Sequence, residues 1–197
     1  INALSISGKR KNGQPWVMFS FYGGGHGGSN ESDGLNHGNA PISTATIPPL
    51  EILEAAYPVM FRKWALRTDS AGSGMYRGGL GATYEIEVLE ESGAKAFLFG
   101  ERGKYAPSGV VGGGNAALNV FTYEQDGGWQ NPPMTSKMVG INLKQGQSVR
   151  LDTPGGGGYG TPSKRPPESV ARDVAAGYIT AEKATADYGS AWQEVTL

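Results

Sequence analysis

The sequence predicts a mainly β protein of the α+β class, in which antiparallel sheets form a sandwich or a barrel-like core with short peripheral and C-terminal helices. Short apolar segments recur at fairly even spacing, and glycine, which accounts for 32 of the 197 residues, marks the turns between them. Hydrophobic residues make up 38% of the chain, which is enough to form a buried core. We expect residues 1–160 to form the β-rich region and residues 161–197 to form a helical C-terminal appendage.

The first part of the chain is predicted to contain two strands separated by a glycine-rich segment, a long loop and a short helix. Residues 16–22 are aromatic and β-branched, as strands commonly are. Glycines interrupt any regular element at 23–28, and the polar loop at 29–43 has a length typical of functional loops. A helix at 50–57 begins after two prolines and ends before a third, and a strand at 59–67 follows.

The later part is predicted to consist of further strands followed by two helices. Alternating apolar and polar residues predict strands at 84–88, 94–99 and 118–122. Residues 138–143 and 148–151 are expected to pair as a hairpin around a Gln-Gly turn. Prolines or a threonine before the start, and a glycine after the end, predict two short helices at 168–176 and 181–188.

Composition excludes several classes of function. Charged residues are only 18% of the chain and the net charge is −1, so we expect neither a nucleic-acid nor a membrane partner. The absence of cysteine excludes a disulfide scaffold, a thiolate nucleophile and a cysteine-based zinc site. No apolar segment approaches the roughly 20 residues needed to cross a bilayer. Because the first residue is Ile1 and not Met, we expect either that something was removed upstream or that this is a piece of a longer chain.

Two glycine clusters match the letters of nucleotide-binding motifs but lack their context. Gly23, Gly25 and Gly28 fit the pattern G-x-G-x-x-G, and so does the cluster at 155–160. A dinucleotide site needs a helix directly after the glycines, whereas a polar loop and a proline-rich segment follow here. Neither cluster ends in the Gly-Lys-Ser/Thr of a phosphate loop. We therefore expect that this chain alone binds no ATP.

His26 is the candidate catalytic residue. It lies between glycines, so a ligand can approach the backbone closely and the imidazole can transfer a proton near neutral pH. The amides of Gly24 and Gly25 are candidate substrate contacts, and the loop that follows offers Asn30 and Asp33. The alternative interpretation is a loop histidine whose ring bonds only the backbone.

Two further residues leave alternatives open. His37 and Asp33 could form a metal site with His26, although their spacing matches no compact ligand motif. Arg77 could bind a carboxylate or carbonyl oxygen of a substrate, but an arginine beside glycine-rich turns more commonly pairs with a carboxylate such as Asp69. We assign no metal ligand and no cofactor ligand to this chain.

Several segments, taken in order, resemble one family. They are GGGHG at 23–27, DG at 33–34, PLE at 49–51, RTDSAG at 67–72, YRGGLG at 76–81, ER at 101–102, GGG at 112–114, PGGGGYG at 154–160, RDV at 172–174 and YG at 188–189. Their number and order make the match specific. The chain resembles the C-terminal part of the hydantoinase B/oxoprolinase family over nearly its whole length.

The resemblance implies part of the B component of an ATP-dependent enzyme that opens a cyclic amide. An A-type ATPase subunit would bind ATP and Mg²⁺, and the upstream part of the B component would hold a divalent metal, so that this chain would bind neither. The alternative is a subunit of an acetone- or acetophenone-type carboxylase, which acts on a ketone. A non-catalytic scaffold segment is a second alternative. We expect a cytoplasmic complex.

The predicted strands also bear on assembly. They have no evident complete set of partners within the chain, so we expect the protein to be stable only in a complex. Another polypeptide would then cover open sheet edges and exposed apolar patches.

Overall fold

Two antiparallel β-sheets form the body of the protein in a computed structural model that describes residues 2–38 and 48–195. The strands are β1 (Asn2–Lys9), β2 (Pro15–Tyr22), β3 (Val59–Leu66), β4 (Ala82–Val88), β5 (Ala94–Phe99), β6 (Val120–Gln125), β7 (Gly128–Gln130), β8 (Lys137–Leu143) and β9 (Ser148–Asp152). The helices are α1 (Leu50–Ala56), α2 (Pro167–Ala175) and α3 (Ala181–Tyr188), with 3₁₀ turns at Pro162–Lys164 and Ala191–Glu194. The predicted fold class is confirmed.

The first sheet has the strand order β2-β1-β5-β8 and packs one face into the core. Leu4 and Ile6 of β1 are fully buried, and Trp16, Met18 and Tyr22 of β2 are buried beside them. These residues alternate with outward-facing ones, which is the period of two that a half-covered strand requires. The sequence analysis did not identify β1, whose outward residues are small.

The second sheet has the order β3-β4-β9-β6-β7 and faces the first. Tyr84 and Ile86 of β4 lie opposite Leu151 and Val149 of β9, and all four are buried. One cluster of buried side chains joins both sheets. The described strands therefore form a sandwich, one of the two arrangements that the sequence left open.

The predicted hairpin at 138–143 and 148–151 is wrong. Strand β8 pairs with β5 in the first sheet, whereas β9 pairs with β4 and β6 in the second. The connection crosses from one sheet to the other, and Gly146 donates a hydrogen bond to the carbonyl of Val88 on the way. A strand that buries one face has the same alternating pattern whether its chain neighbour lies beside it or across the core, so alternation could not decide the pairing.

The three helices lie within one residue of their predicted bounds. No helix in the described part of the chain is both long and apolar enough to span a bilayer. The C-terminal helices contact the loop after β3. Thr68 donates a hydrogen bond to the carbonyl of Gly177 at 2.8 Å, and the amide of Gly74 donates one to the hydroxyl of Tyr188 at 3.3 Å. The predicted loop at 29–43 falls partly on residues 39–47, which lie outside the described residues.

Candidate functional site

Three glycine-rich segments run side by side and bond one another through their backbones: residues 23–28, 72–81 and 154–160. We call these three segments the glycine bundle. The amide of Gly25 donates to the carbonyl of Pro154 at 2.9 Å, and the amide of Gly156 donates to the carbonyl of Gly79 at 2.9 Å. The amide of Gly79 in turn donates to the carbonyl of His26 at 2.7 Å. The segments therefore satisfy one another's backbone groups, as buried polar groups require.

The backbones of the glycine bundle approach too closely for side chains. A methyl group on Gly25 would lie 1.8 Å from the carbonyl oxygen of Gly79. A methyl group on Gly156 would lie 1.8 Å from the carbonyl oxygen of His26. Non-bonded carbon and oxygen atoms attract only beyond about 3 Å, so both positions require glycine. Close packing accounts for the two clusters whose letters resemble nucleotide-binding motifs.

His26 lies in the middle of the first segment, and its backbone is bonded on both sides. Its amide donates to the carbonyl of Leu35 at 3.0 Å, and its own carbonyl accepts from Gly79. Its ring is partly exposed and packs against Gly38, where a methyl group would lie 2.6 Å from Nε2. The orientation of the imidazole is thus limited by a neighbouring backbone.

The other predicted contacts in this loop differ in their surroundings. Gly24 forms a bridge with Gly38, and the amide of Gly25 donates within the glycine bundle. Asn30 is exposed in a turn that the hydroxyl of Ser29 stabilises, since that oxygen accepts a hydrogen bond from the amide of Ser32 at 3.0 Å. Substrate binding by Gly24, Gly25 and Asn30 stays a prediction.

Asp33 and Arg77 belong to a partly buried ion-pair cluster. Both carboxylate oxygens of Asp33 accept hydrogen bonds from Arg165, at 2.7 and 2.8 Å. Arg77 and Arg165 share Asp173, at 3.1 and 2.7 Å. The interpretation that Arg77 pairs with a carboxylate is confirmed, but the named partner is wrong: Arg77 bonds Asp173, whereas Asp69 accepts a hydrogen bond from a backbone amide at the start of α3. The cluster ties the segment before α2, and α2 itself, to the glycine bundle.

Electrostatics hold this cluster in its charged form. Burial alone would raise the pKa of the Asp33 carboxyl, but hydrogen bonds from Arg165 and the charges of Arg165 and Arg77 lower it below its usual value. Burial would likewise lower the pKa of Arg165, yet its acidic partners Asp33 and Asp173 raise it. Two positive and two negative charges balance. Sequence reasoning missed Arg165 and Asp173, which no local pattern connects to the loop. Substrate contact by Asp33 or Arg77 stays a prediction.

His37 is fixed in an aromatic cluster at the edge of the core. Its Nε2 atom accepts a hydrogen bond from the indole of Trp64 at 3.2 Å and also bonds the hydroxyl of Tyr84. Because an indole nitrogen only donates, Nε2 carries no proton, and burial lowers the pKa of His37. Within residues 2–38 and 48–195, no three His, Asp or Glu side chains group as metal ligands, so the conceivable His26/Asp33/His37 site finds no support.

Two surface grooves lie away from the loop that carries His26. One, of about 830 Å³, is bordered by Lys9, Trp16 and Asn142. The other, of about 590 Å³, is bordered by Arg102 and Met134. No residue of the 23–38 loop lines either groove. Neither of these two grooves is therefore a cavity that includes His26.

The fold and the site define a two-sheet β-sandwich protein with a glycine bundle extending from strand ends. The chain belongs to the hydantoinase B/oxoprolinase family, because the model of the family described as hydantoinase B/oxoprolinase matches residues 1–162. It is 29% identical, over 96% of its length, to the putative D-/L-hydantoinase B component of Pseudomonas sp. (strain NS671), of which it covers 31%.

Two solved structures share the fold. The ATP-dependent caprolactamase of Pseudomonas jessenii has a TM-score of 0.78 at 25% identity, with 94% of this chain and 33% of the caprolactamase chain covered. A nucleotide-free acetone carboxylase has a TM-score of 0.83 at 23% identity, with 96% and 29% covered, which shows the fold alone. The chain thus spans about a third of the length of these relatives.

Proposed function

We propose that this chain is part of the B component of an ATP-dependent hydantoinase/oxoprolinase-type amidohydrolase, and that the loop carrying His26 faces the cyclic amide substrate. The observation that carries the proposal is the placement of His26, whose partly exposed imidazole is held on a segment bonded on both sides. The likeness to a hydantoinase B component and to an ATP-dependent caprolactamase supports the class of reaction.

The chemistry of ring opening fits a histidine at this place. Water must attack the amide carbonyl, and a proton must reach the ring nitrogen as the C–N bond breaks. An imidazole exchanges protons near neutral pH, so His26 is suited to supply that proton or to orient the substrate. A fixed backbone limits the positions that the ring can occupy, and such positioning is a large part of catalytic efficiency.

The remaining predicted contacts complete the proposed cavity. We assign the backbone of Gly24 and Gly25 and the side chain of Asn30 to its lining. We also assign Asp33 and Arg77 to the lining. Both belong to the ion-pair cluster, in which their charges are balanced by other residues of the chain.

The cofactors of the reaction are assigned to other polypeptide. Within residues 2–38 and 48–195 no three metal-ligating side chains group together, and the sequence has no phosphate loop. We propose that ATP and Mg²⁺ are bound by an A-type ATPase subunit and that the upstream part of the B component holds a divalent metal. A cytoplasmic location belongs to the proposal because the reaction consumes ATP.

A carboxylase subunit is the second candidate. The fold shared with acetone carboxylase is compatible with it, and its substrate would be a ketone and not a cyclic amide. Assays of the assembled enzyme distinguish the two reactions. Hydrolysis yields a ring-opened acid with no added carbon, whereas carboxylation requires bicarbonate and yields a product one carbon longer.

Turnover of His26→Ala and His26→Gln in the assembled enzyme tests the role of His26. General acid–base catalysis contributes about 100- to 10,000-fold, so we expect a loss of this size in both variants, with assembly intact. Glu31→Gln, on the exposed turn that follows the first glycine-rich segment, is the matched control and should keep full turnover. A loss below about threefold in both histidine variants would contradict the proposal and favour a scaffold segment.

A further inference from the structure

The outer face of the first sheet carries large apolar side chains. Val17, Phe19 and Phe21 of β2 are 56%, 56% and 52% exposed. Phe99 of β5 is 67% exposed and Val139 of β8 is 78% exposed. Single exposed apolar residues are ordinary, but a contiguous patch of them marks a surface that contacts another apolar surface.

The surface that these side chains form is a groove. Strand β1 lies between β2 and β5, and its outward residues are small: Ala3, Ser5 and Ser7. Ala3 lies opposite both Phe21 and Phe99, and Ser5 lies opposite Phe19 and Phe97. The phenylalanines therefore form two ridges along a floor of small side chains. The rings of Phe19 and Phe21 contact each other edge to face, with centroids 5.1 Å apart.

The outer face of the second sheet has the opposite character. There Glu85 of β4 lies opposite Lys63 of β3 and Arg150 of β9, so charges of alternating sign cross the strands. Arg150 also pairs with Asp152 at 3.1 Å. Such cross-strand charge pairs are typical of a sheet face that contacts water. One molecule thus has one face suited to water and one face suited to apolar contact.

We propose that the groove on the outer face of the first sheet binds the part of a B-type polypeptide that lies outside the segment spanned by this chain. The inference rests on the proposed function, because it assumes that the chain works within a B-type assembly. The element that fills the groove would present an apolar ridge to the floor between the phenylalanines. The cationic side chains on this face lie toward the strand ends: Lys9 ends β1, Lys95 lies opposite Ser7, and the ammonium of Lys137 stands 5.2 Å from the ring centroid of Phe99.

The lengths of the relatives favour this occupant. This chain covers 31% of the hydantoinase B component and 33% of the caprolactamase chain, so about two thirds of each relative is further polypeptide of the same protein. Permanent interfaces resemble a cut hydrophobic core, whereas transient ones are about as polar as the rest of a surface. A face of phenylalanine, valine and small residues fits the permanent kind.

Single cysteines test the proposal cleanly because the chain has none of its own. Phe19→Cys places a thiol in the groove, and Lys63→Cys places one on the exposed opposite sheet as a matched control. The rate of maleimide labelling at each site is measured by mass spectrometry in the assembled enzyme, with and without urea. Native mass spectrometry first establishes that the rest of a B-type polypeptide is present.

We expect the assembly to slow labelling at position 19 by at least about tenfold relative to position 63, because thiol reactivity follows access. A photocrosslinker on the cysteine at position 19 should then join it to B-type polypeptide outside this segment. Equal labelling of the two sites in the assembly would overturn the proposal. Crosslinks to a second copy of this chain, or to the ATPase subunit, would also overturn it. His26→Ala turnover tests the proposed function separately.

Discussion

The sandwich and the glycine bundle are held together in different ways. In the sandwich, side chains from two sheets meet, and residues such as Leu4 and Ile86 are fully buried between them. In the glycine bundle, backbones meet directly, and the amide of Gly156 donates to the carbonyl of Gly79 at 2.9 Å with no side chain between the two segments. Side-chain cores tolerate exchange between apolar residues of similar volume. A direct contact between two backbones leaves no room for an added side-chain atom, because a backbone, unlike a side chain, cannot move aside by changing rotamer.

This difference explains where a functional residue could be fixed most rigidly. His26 is the non-glycine residue between Gly25 and Gly27, and its backbone is bonded to two other segments. A side chain on such a segment can be positioned within a fraction of an ångström, which is the precision that catalysis requires. The sandwich supplies stability, and the glycine bundle supplies a fixed backbone.

Adding a methyl group to the glycine bundle should have the largest effect. Gly156→Ala would place a methyl group 1.8 Å from the carbonyl oxygen of His26, so we expect it to reduce the free energy of unfolding by more than about 4 kcal/mol. Removing a methyl group from the sandwich, in Ile86→Val, should cost only about 0.5–1.5 kcal/mol. Urea unfolding of both variants measures the contrast. Equal losses would remove the distinction between the two regions.

Breaking the ion-pair cluster should have the next largest effect. Arg165→Met keeps most of the volume of the side chain but removes the arginine that bonds both oxygens of Asp33, and leaves Asp173 with Arg77 as its remaining cationic partner. We expect a loss of about 3 kcal/mol, at the low end for buried pairs because Asp33 is 33% exposed. Arg172→Met, on the exposed side of α2, is the control and should change stability by less than about 0.5 kcal/mol. A similar effect of both variants would mean that the cluster does not clamp the C-terminal helices.

Moving the ring of His26 should affect activity more than stability. A methyl group on Gly38 would lie 2.6 Å from Nε2 of His26, so the imidazole would have to shift. We expect Gly38→Ala to lower turnover by about tenfold or more, because a displacement of 1 Å can cost up to about 100-fold. Gly27→Ala is the matched control, since its methyl group would lie 3.6 Å from the nearest atom, the carbonyl oxygen of Gly157. Full turnover of Gly38→Ala would show that the ring position is not critical.

Acidification should lower the free energy of unfolding by a smaller amount, and at a different pH for His37 beside the sandwich than for Asp33 in the ion-pair cluster. Burial lowers the pKa of His37, beside the sandwich core, below its ordinary value of 6.5. The unfolded chain therefore takes up a proton first, and this contribution to stability is lost as the pH falls below about 6.5. The Asp33 carboxyl has a pKa lowered below 3.8, so its contribution is lost only at lower pH. Urea unfolding at a series of pH values measures both losses. His37→Gln should remove the decline in the free energy of unfolding just below pH 6.5 and leave the decline at lower pH that Asp33 causes. An unchanged dependence of the free energy of unfolding on pH below 6.5 would contradict this assignment.

Much of the secondary structure could be predicted from the sequence because its causes are local. The aromatic and β-branched segment at 16–22 forms a strand, and the prolines and glycines that bound α2 and α3 lie where helix ends require them. The same order of short segments also indicated the family. The strand at 2–9 escaped prediction because its outward residues carry little β signal.

The sequence by itself thus determined the fold class, most strands and helices, and the relation to the hydantoinase B/oxoprolinase family. Only the tertiary structure decided which sheet each strand joins, why the glycines are needed, and that Arg77 pairs with Asp173, 96 residues away. It also decided that the ring of His26 packs against Gly38. The physical reason is the same in each case. Hydrophobic alternation, helix ends and turns are properties of neighbouring residues, whereas backbone approach and ion pairing depend on which distant segments the closed sandwich brings together.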